Sequence, residues 1–240
     1  MAKTRSLKIA AFLLVLTLVT SCFVGGTFAK YVVGSQAGAS ARVAKFGVAI
    51  TANGSLFASE YESDTPGLST GVAAIANSVV AYNGTDKLVA PGTKGDAVSF
   101  TLSGKPEVAV QVTYSAVGNI TLDNWQDAAG SFYCPLSVKI NGVVVDGHSY
   151  KSAQLFIDAI NQEIAQHNKI YAPNTDLASI EADSGLSISW SWPFEYGGDE
   201  NSDEVKTQNN AKDTHLGNQA AEGHAAVFSI QVSATVTQVD

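Results

Sequence analysis

The chain has 240 residues, 45% of them hydrophobic and only 15% charged, with 14 Lys plus Arg set against 22 Asp plus Glu for a net charge of −8. That composition excludes a disordered polyampholyte, and the acidic balance leaves no basic surface to hold a nucleic-acid backbone. Two cysteines exclude a disulfide framework and a four-cysteine zinc site, whereas the 21 Gly and the abundance of Val, Ser and Thr favour a turn-rich all-β chain.

Residues 1–29 read as a secretory signal peptide. Lys3, Arg5 and Lys8 precede an apolar stretch from Ile9 to Val19, which gives way to small residues. The small residues Thr27 and Ala29 favour a cut after Ala29. Two alternatives stay open: Val19-Thr20-Ser21 before Cys22 reads as a lipobox that would anchor a lipoprotein at Cys22, and Ile9 to Val24 could remain as a short uncleaved anchor. Cleavage removes Lys3, Arg5 and Lys8 and no acidic group, so the net charge moves from −8 to −11. Contact with the membrane is then expected only through the signal segment.

Residues 30–40, rich in Gly, Ser and Ala, form an expected flexible arm before a single β-sandwich domain over 41–240. Phe46, Val48 and Ile50 alternate in a strand from Val43 to Ile50, and Val98 to Ser103 and Glu107 to Tyr114 repeat the alternation. Cys134, between apolar neighbours, reads as a buried core thiol rather than a nucleophile. Ser137 to Ile140, Asn141-Gly142 and Val143 to Val145 make a hairpin, because Asn-Gly accepts the positive φ angles of a type I′ turn.

From Ser152 to His167, apolar residues at Ala153, Phe156, Ile157, Ile160 and Ile164 mark one face of an amphipathic helix, about 152–168, with Ser152 as N-cap. Its expected role is to cover an open end or edge of the core. Leu186 to Trp192 and Val227 to Val236 complete the strands. The fold expected is all-β: a jelly-roll-like antiparallel β-sandwich with one inserted helix.

Chemistry is sparse. The four histidines form no His-Glu-x-x-His pair, and there is no Gly-x-Ser-x-Gly elbow and no phosphate-binding Gly-rich loop. Asp213, His215 and His224 make a conceivable metal site, although solvated loop histidines are the plainer reading. Asp199, Asn201 and Asp203 begin with the alternate spacing of a Ca²⁺ loop, but Glu204 stands where Gly is needed and Asn210 where Glu is needed, so a solvated acidic loop is favoured over Ca²⁺ binding. No cofactor is expected, nor is enzyme activity.

Several segments carry a resemblance. Gly25-Gly-Thr-Phe-Ala-Lys-Tyr, Ala41-Arg-Val-Ala-Lys-Phe-Gly-Val, Ala90-Pro-Gly-Thr-Lys-Gly, Trp190-Ser-Trp-Pro-Phe-Glu, Asp213-Thr-His-Leu-Gly and the terminal Ala234-Thr-Val-Thr-Gln-Val-Asp240 resemble the TasA and camelysin family, secreted proteins of Gram-positive bacteria with a SipW-type signal peptide. The resemblance implies a jelly-roll sandwich, processing by a SipW-type signal peptidase and, as in fibre-forming members, assembly of extracellular biofilm filaments with itself or related matrix proteins. The assembly route would be donor-strand addition by Lys30, Tyr31, Val32 and Val33 of the arm. Val43 to Ile50 is expected to pair within its own domain. Camelysin members are described as metal-dependent proteases, but this chain has no recognisable zinc motif. A carbohydrate- or cell-wall-binding module is the alternative, because Trp190, Trp192 and Phe194 share one strand face: a buried row would mean core and an exposed row a binding surface.

Overall fold

Period-two alternation of apolar residues builds two facing antiparallel sheets. The computed structural model describes residues 42–62, 76–180, 185–196 and 203–239. The chain divides into Met1–Val43 and Ala44–Asp240, and the architecture below is that of the second unit. Twelve strands, two α-helices and a short 3-10 turn lie among the described residues.

The first sheet is built on the long strand β4 (Lys94–Gly104). On one side β4 pairs with β1 (Val48–Asn53), and on the other with β10 (Leu186–Ser191), followed by β7 (Ser137–Ile140) and β8 (Val143–Asp146). The Asn141-Gly142 turn joins β7 to β8 with φ of 43° and 94°, both in the left-handed region, and sets Ile140 opposite Val143. Asn141 is tied down further: its side chain accepts from the Ser187 N–H at 2.7 Å and donates to the Gly185 carbonyl at 2.9 Å.

The second sheet has β5 (Val110–Ser115) between β9 (Lys169–Tyr171) and β12 (Ser233–Gln238), and β6 (Ile120–Asp123) paired with β11 (Val227–Ile230). These are two parts of one creased ladder. Ser115 faces Ser233, Ile120 faces Ile230, and the Gln231 N–H donates to the Asn119 carbonyl across the crease at 2.9 Å. A small separate pair is formed by β2 (Glu60–Glu62) and β3 (Asn77–Val80).

Val110, Val112 and Tyr114 of β5 are buried opposite Leu186, Ile188 and Trp190 of β10 in one core, and the Phe100 and Tyr114 rings meet across it with centroids 5.8 Å apart. Helix α1 (Ala153–Gln166) places Phe156, Ile160 and Ile164, spaced four apart, in that core. It packs against β5 and β6 from one sheet and β7 and β8 from the other, closing an end of the sandwich. The Ser152 side chain accepts from the Leu155 N–H at 3.3 Å, the cap that the sequence implies.

Three boundaries differ from expectation. The first strand begins at Val48 rather than Val43, leaving Phe46 41% exposed outside it. The strand expected from Val227 to Val236 is two, broken at Gln231 and Val232. The stretch expected to continue an acidic loop is a second helix, α2 (Asp203–Ala221). It shows no apolar stripe, and among its residues Leu216 alone is buried. Asp203 and Glu204 at its positive end favour it electrostatically, and Gly223 at φ 88° terminates it.

Candidate functional site

Two strand edges define an open side of the sandwich. Among the described residues, β1 has a strand neighbour only in β4, β11 only in β6 and β12 only in β5. Between these edges lies a cavity of about 330 Å³ lined by Ala52, Phe57, Phe100, Ile188, Ile230 and Val232. Its walls come from both sheets. Among the described residues the gap is apolar and bordered by strands with one ladder neighbour each, the chemistry that an extended segment would need to set alternate side chains in the gap and its backbone on a ladder.

A half-buried polar cluster lies elsewhere, where the 3-10 turn Gly147–Ser149 meets α2. Asp146 caps the turn, accepting from the His148 N–H at 3.1 Å, and the His148 ring Nδ1 lies 3.3 Å from the same carboxylate oxygen. Tyr196 donates to the other oxygen at 2.8 Å and stacks on His148 with ring centroids 3.6 Å apart. Tyr133 meets His148 edge-on and donates to Asp213 of α2 at 2.7 Å. Lys212 lies 5.0 Å above the Tyr133 ring.

Opposite environments separate the two carboxyls. Burial raises the pKa of Asp146, but hydrogen bonds from His148 and Tyr196 outweigh it and hold the group below its ordinary value. At Asp213 burial wins over the hydrogen bond from Tyr133 and the nearby Trp192 indole N–H, and the carboxyl titrates above its ordinary value. The Trp192 indole N–H points its charge at Asp213 yet has no partner at hydrogen-bonding geometry. Cys134 borders this cluster, but it is 1% exposed and burial pushes its thiol up to about 12, so the sulfur is protonated and inert.

The phenols set an alkaline limit. The Asp146 hydrogen bond pushes Tyr196 up to about 12, burial pushes Tyr114 up to about 12, and burial and then Asp213 raise Tyr133 still further. The folded state retains protons that an unfolded tyrosine releases above 10.0, so stability is lost as pH rises from there through about 12. In an alkaline titration, tyrosinate absorbance of these three residues is expected to emerge together with loss of the folded circular dichroism signal, and Cys134 is expected to react with a thiol reagent only then. Complete phenol ionisation at the ordinary tyrosine value with the fold intact would contradict this reading.

Of the anticipated site residues, those among the described residues are not brought to one place. Ala29, Lys30, Tyr31, Val32, Val33, Asp199 and Asn201 lie outside the described residues. Asp203 is not in a loop: it opens α2. Asp213 is taken by Tyr133, His215 is half-buried on the same helix, and His224 is exposed beyond its end. Among the described residues no three His, Cys, Asp or Glu side chains are grouped to hold a metal. The aromatic row is split: Trp190 and Trp192 are 2% and 5% exposed, whereas Phe194, beyond Pro193, is 72% exposed. The Asp146–His148–Tyr196 cluster escaped sequence reasoning because Tyr196 is brought to Asp146 only by the tertiary fold; the local signal was the Asp-Gly-His spacing, which sets a cap.

No protein-family model matches the chain, no curated protein matches it, and no solved structure matches it. The likeness to the TasA and camelysin family therefore rests on the sequence segments quoted above.

Proposed function

We propose that the chain is a secreted structural protein of the extracellular matrix or cell surface of a Gram-positive bacterium, processed after Ala29 by a SipW-type signal peptidase. It assembles head to tail as the arm 30–40 of one copy, led by Lys30, Tyr31, Val32 and Val33, enters the next. The observation that carries this reading is the apolar gap between β1 and the β11–β12 edge, which presents, among the described residues, both a ladder with one side unpaired and a hydrophobic slot. Tyr31, Val32 and Val33 supply apolar side chains for the slot. A contact between an arm and a different surface does not close on itself, so it propagates as a filament.

Electron microscopy tests this on three proteins: the chain starting at Lys30, the same chain without Lys30 to Ser40, and Val232→Lys, which puts an ammonium in the slot. Filaments are expected from the first and monomers from the other two. Filaments from the protein lacking the arm, or monomers from all three, would remove the proposal.

The carbohydrate-binding alternative keeps Phe194 as its exposed aromatic, because both tryptophans belong to the interior. A camelysin-like metallopeptidase requires at least three converging ligands, a group that does not occur among the described residues.

A further inference from the structure

A second cavity, of about 540 Å³, lies where α2 crosses the sandwich. Its apolar walls include Trp125 and Trp192, whose ring centroids are 5.7 Å apart, together with Phe57, Phe228 and Leu216. One acidic group from the polar cluster, Asp213, also lines it. Tyr133 occupies Oδ1 of Asp213 at 2.7 Å, and no ion pair to this carboxylate occurs among the described residues. The lysine beside it in sequence, Lys212, is placed over the Tyr133 ring, and Lys87 stands exposed at the cavity's rim with Asp86.

A carboxylate set among aromatic walls attracts a cation that brings its own apolar stem. The ring faces favour the positive charge and the stem replaces water along the walls. We infer that this cavity is a binding site for a lysine side chain of a partner polypeptide, its ammonium on Asp213 and its methylenes along the apolar walls. Lysine fits better than arginine. A guanidinium seeks two free carboxylate oxygens in a planar fork, but Tyr133 already holds one and the Trp192 N–H is turned toward the group; an ammonium needs a single point of contact.

The inference is independent of filament assembly: its cavity lies against α2, and of the residues lining the slot between β1 and β11–β12 it shares Phe57 alone, which neither test alters. Tryptophan fluorescence of the chain starting at Lys30 provides the readout, with Trp125 and Trp192 in the cavity wall. The probe is Nα-acetyl-lysine N-methylamide. The norleucine counterpart, with a similar stem and no charge, and the Nε-acetylated lysine are the controls.

A saturable change is expected with the lysine probe, at least roughly tenfold tighter than with either control, which corresponds to about 1.4 kcal/mol. Asp213→Asn should abolish that preference while leaving the fold unchanged by circular dichroism. Gly217→Leu guards against a folding artefact. Gly217 lines the cavity from α2 and a Cβ there meets nothing within 4 Å, so leucine enters without a clash, narrows the cavity and improves the helix. This variant should melt no lower than the parent and lose the probe. Equal binding of lysine and norleucine probes, no saturation, or an undiminished lysine preference in Asp213→Asn or Gly217→Leu would overturn the inference.

Discussion

Gly95→Ala is expected to destabilise the fold by about 2–5 kcal/mol, from overpacking and an orphaned donor together. Gly95 lies directly opposite Trp190 in the β4–β10 ladder, at the point where the register shifts after Ile188. A Cβ there would collide with the Leu56 carbonyl and with the Trp190 indole, which are joined by a hydrogen bond of 2.6 Å. The clash is with backbone on one side and a 2% exposed ring on the other, so neither gives way cheaply. Displacing Trp190 also loosens its contacts with Phe57 and Tyr61. Denaturant unfolding measures the loss, and near-ultraviolet circular dichroism should report the released indole. A change below about 0.5 kcal/mol, typical of an inconsequential surface site, would show that the glycine is not required.

The two helices should respond to truncation in different ways. Phe156→Ala is expected to cost about 3–5 kcal/mol of global stability, because the ring is fully buried in the common core and its removal leaves a cavity between the sheets. Leu216→Ala removes the only side chain of α2 that is buried, leaving the helix held by Tyr133 to Asp213, by the Lys212 contact and by the Lys206–Glu195 pair at 3.4 Å. The Lys206–Glu195 pair contributes roughly 0–1 kcal/mol and the hydrogen bond to the Asp213 carboxylate about 1.5–3 kcal/mol, less together than the apolar burial of Phe156, Ile160 and Ile164, so α2 is bound into the cooperative unit more weakly than α1. Hydrogen exchange should show α2 amides losing protection in Leu216→Ala while β4, β5 and β10 keep theirs; Phe156→Ala should lower protection everywhere. Uniform loss in both variants would place α2 inside the same cooperative unit.

Much of the scaffold was legible because its signals are local. Period-two alternation in Val110–Ser115 and Leu186–Ser191, the Asn141-Gly142 turn and the Ser152 cap each depend on a few adjacent residues, and each has the expected geometry. Helix α2 was illegible for the converse reason: it has no amphipathic stripe, so periodicity had nothing to detect. The Trp190, Trp192 and Phe194 row holds for the two tryptophans and fails at Phe194, beyond the end of the strand and Pro193, where alternation no longer dictates which way a side chain faces. Val43 to Phe46 was likewise extended into a strand by alternation, although backbone pairing begins only at Val48.

By itself the sequence determined the class of this protein: a chain poor in charge, rich in alternating Val, Ser and Thr, with one amphipathic helix and no assembled catalytic motif, has only a β-sandwich in which to bury its apolar faces. The tertiary structure alone decided which edges stay open and which polar groups meet. Strand order follows from which faces fit one another across the core, and among the described residues that sets β1 and the β11–β12 crease on either side of an apolar gap. Asp146 and His148 are local neighbours, but Tyr133, Tyr196 and Asp213 come from separate stretches of chain, and the Tyr196–Asp146 and Tyr133–Asp213 hydrogen bonds exist only after the sheets and α2 have been placed.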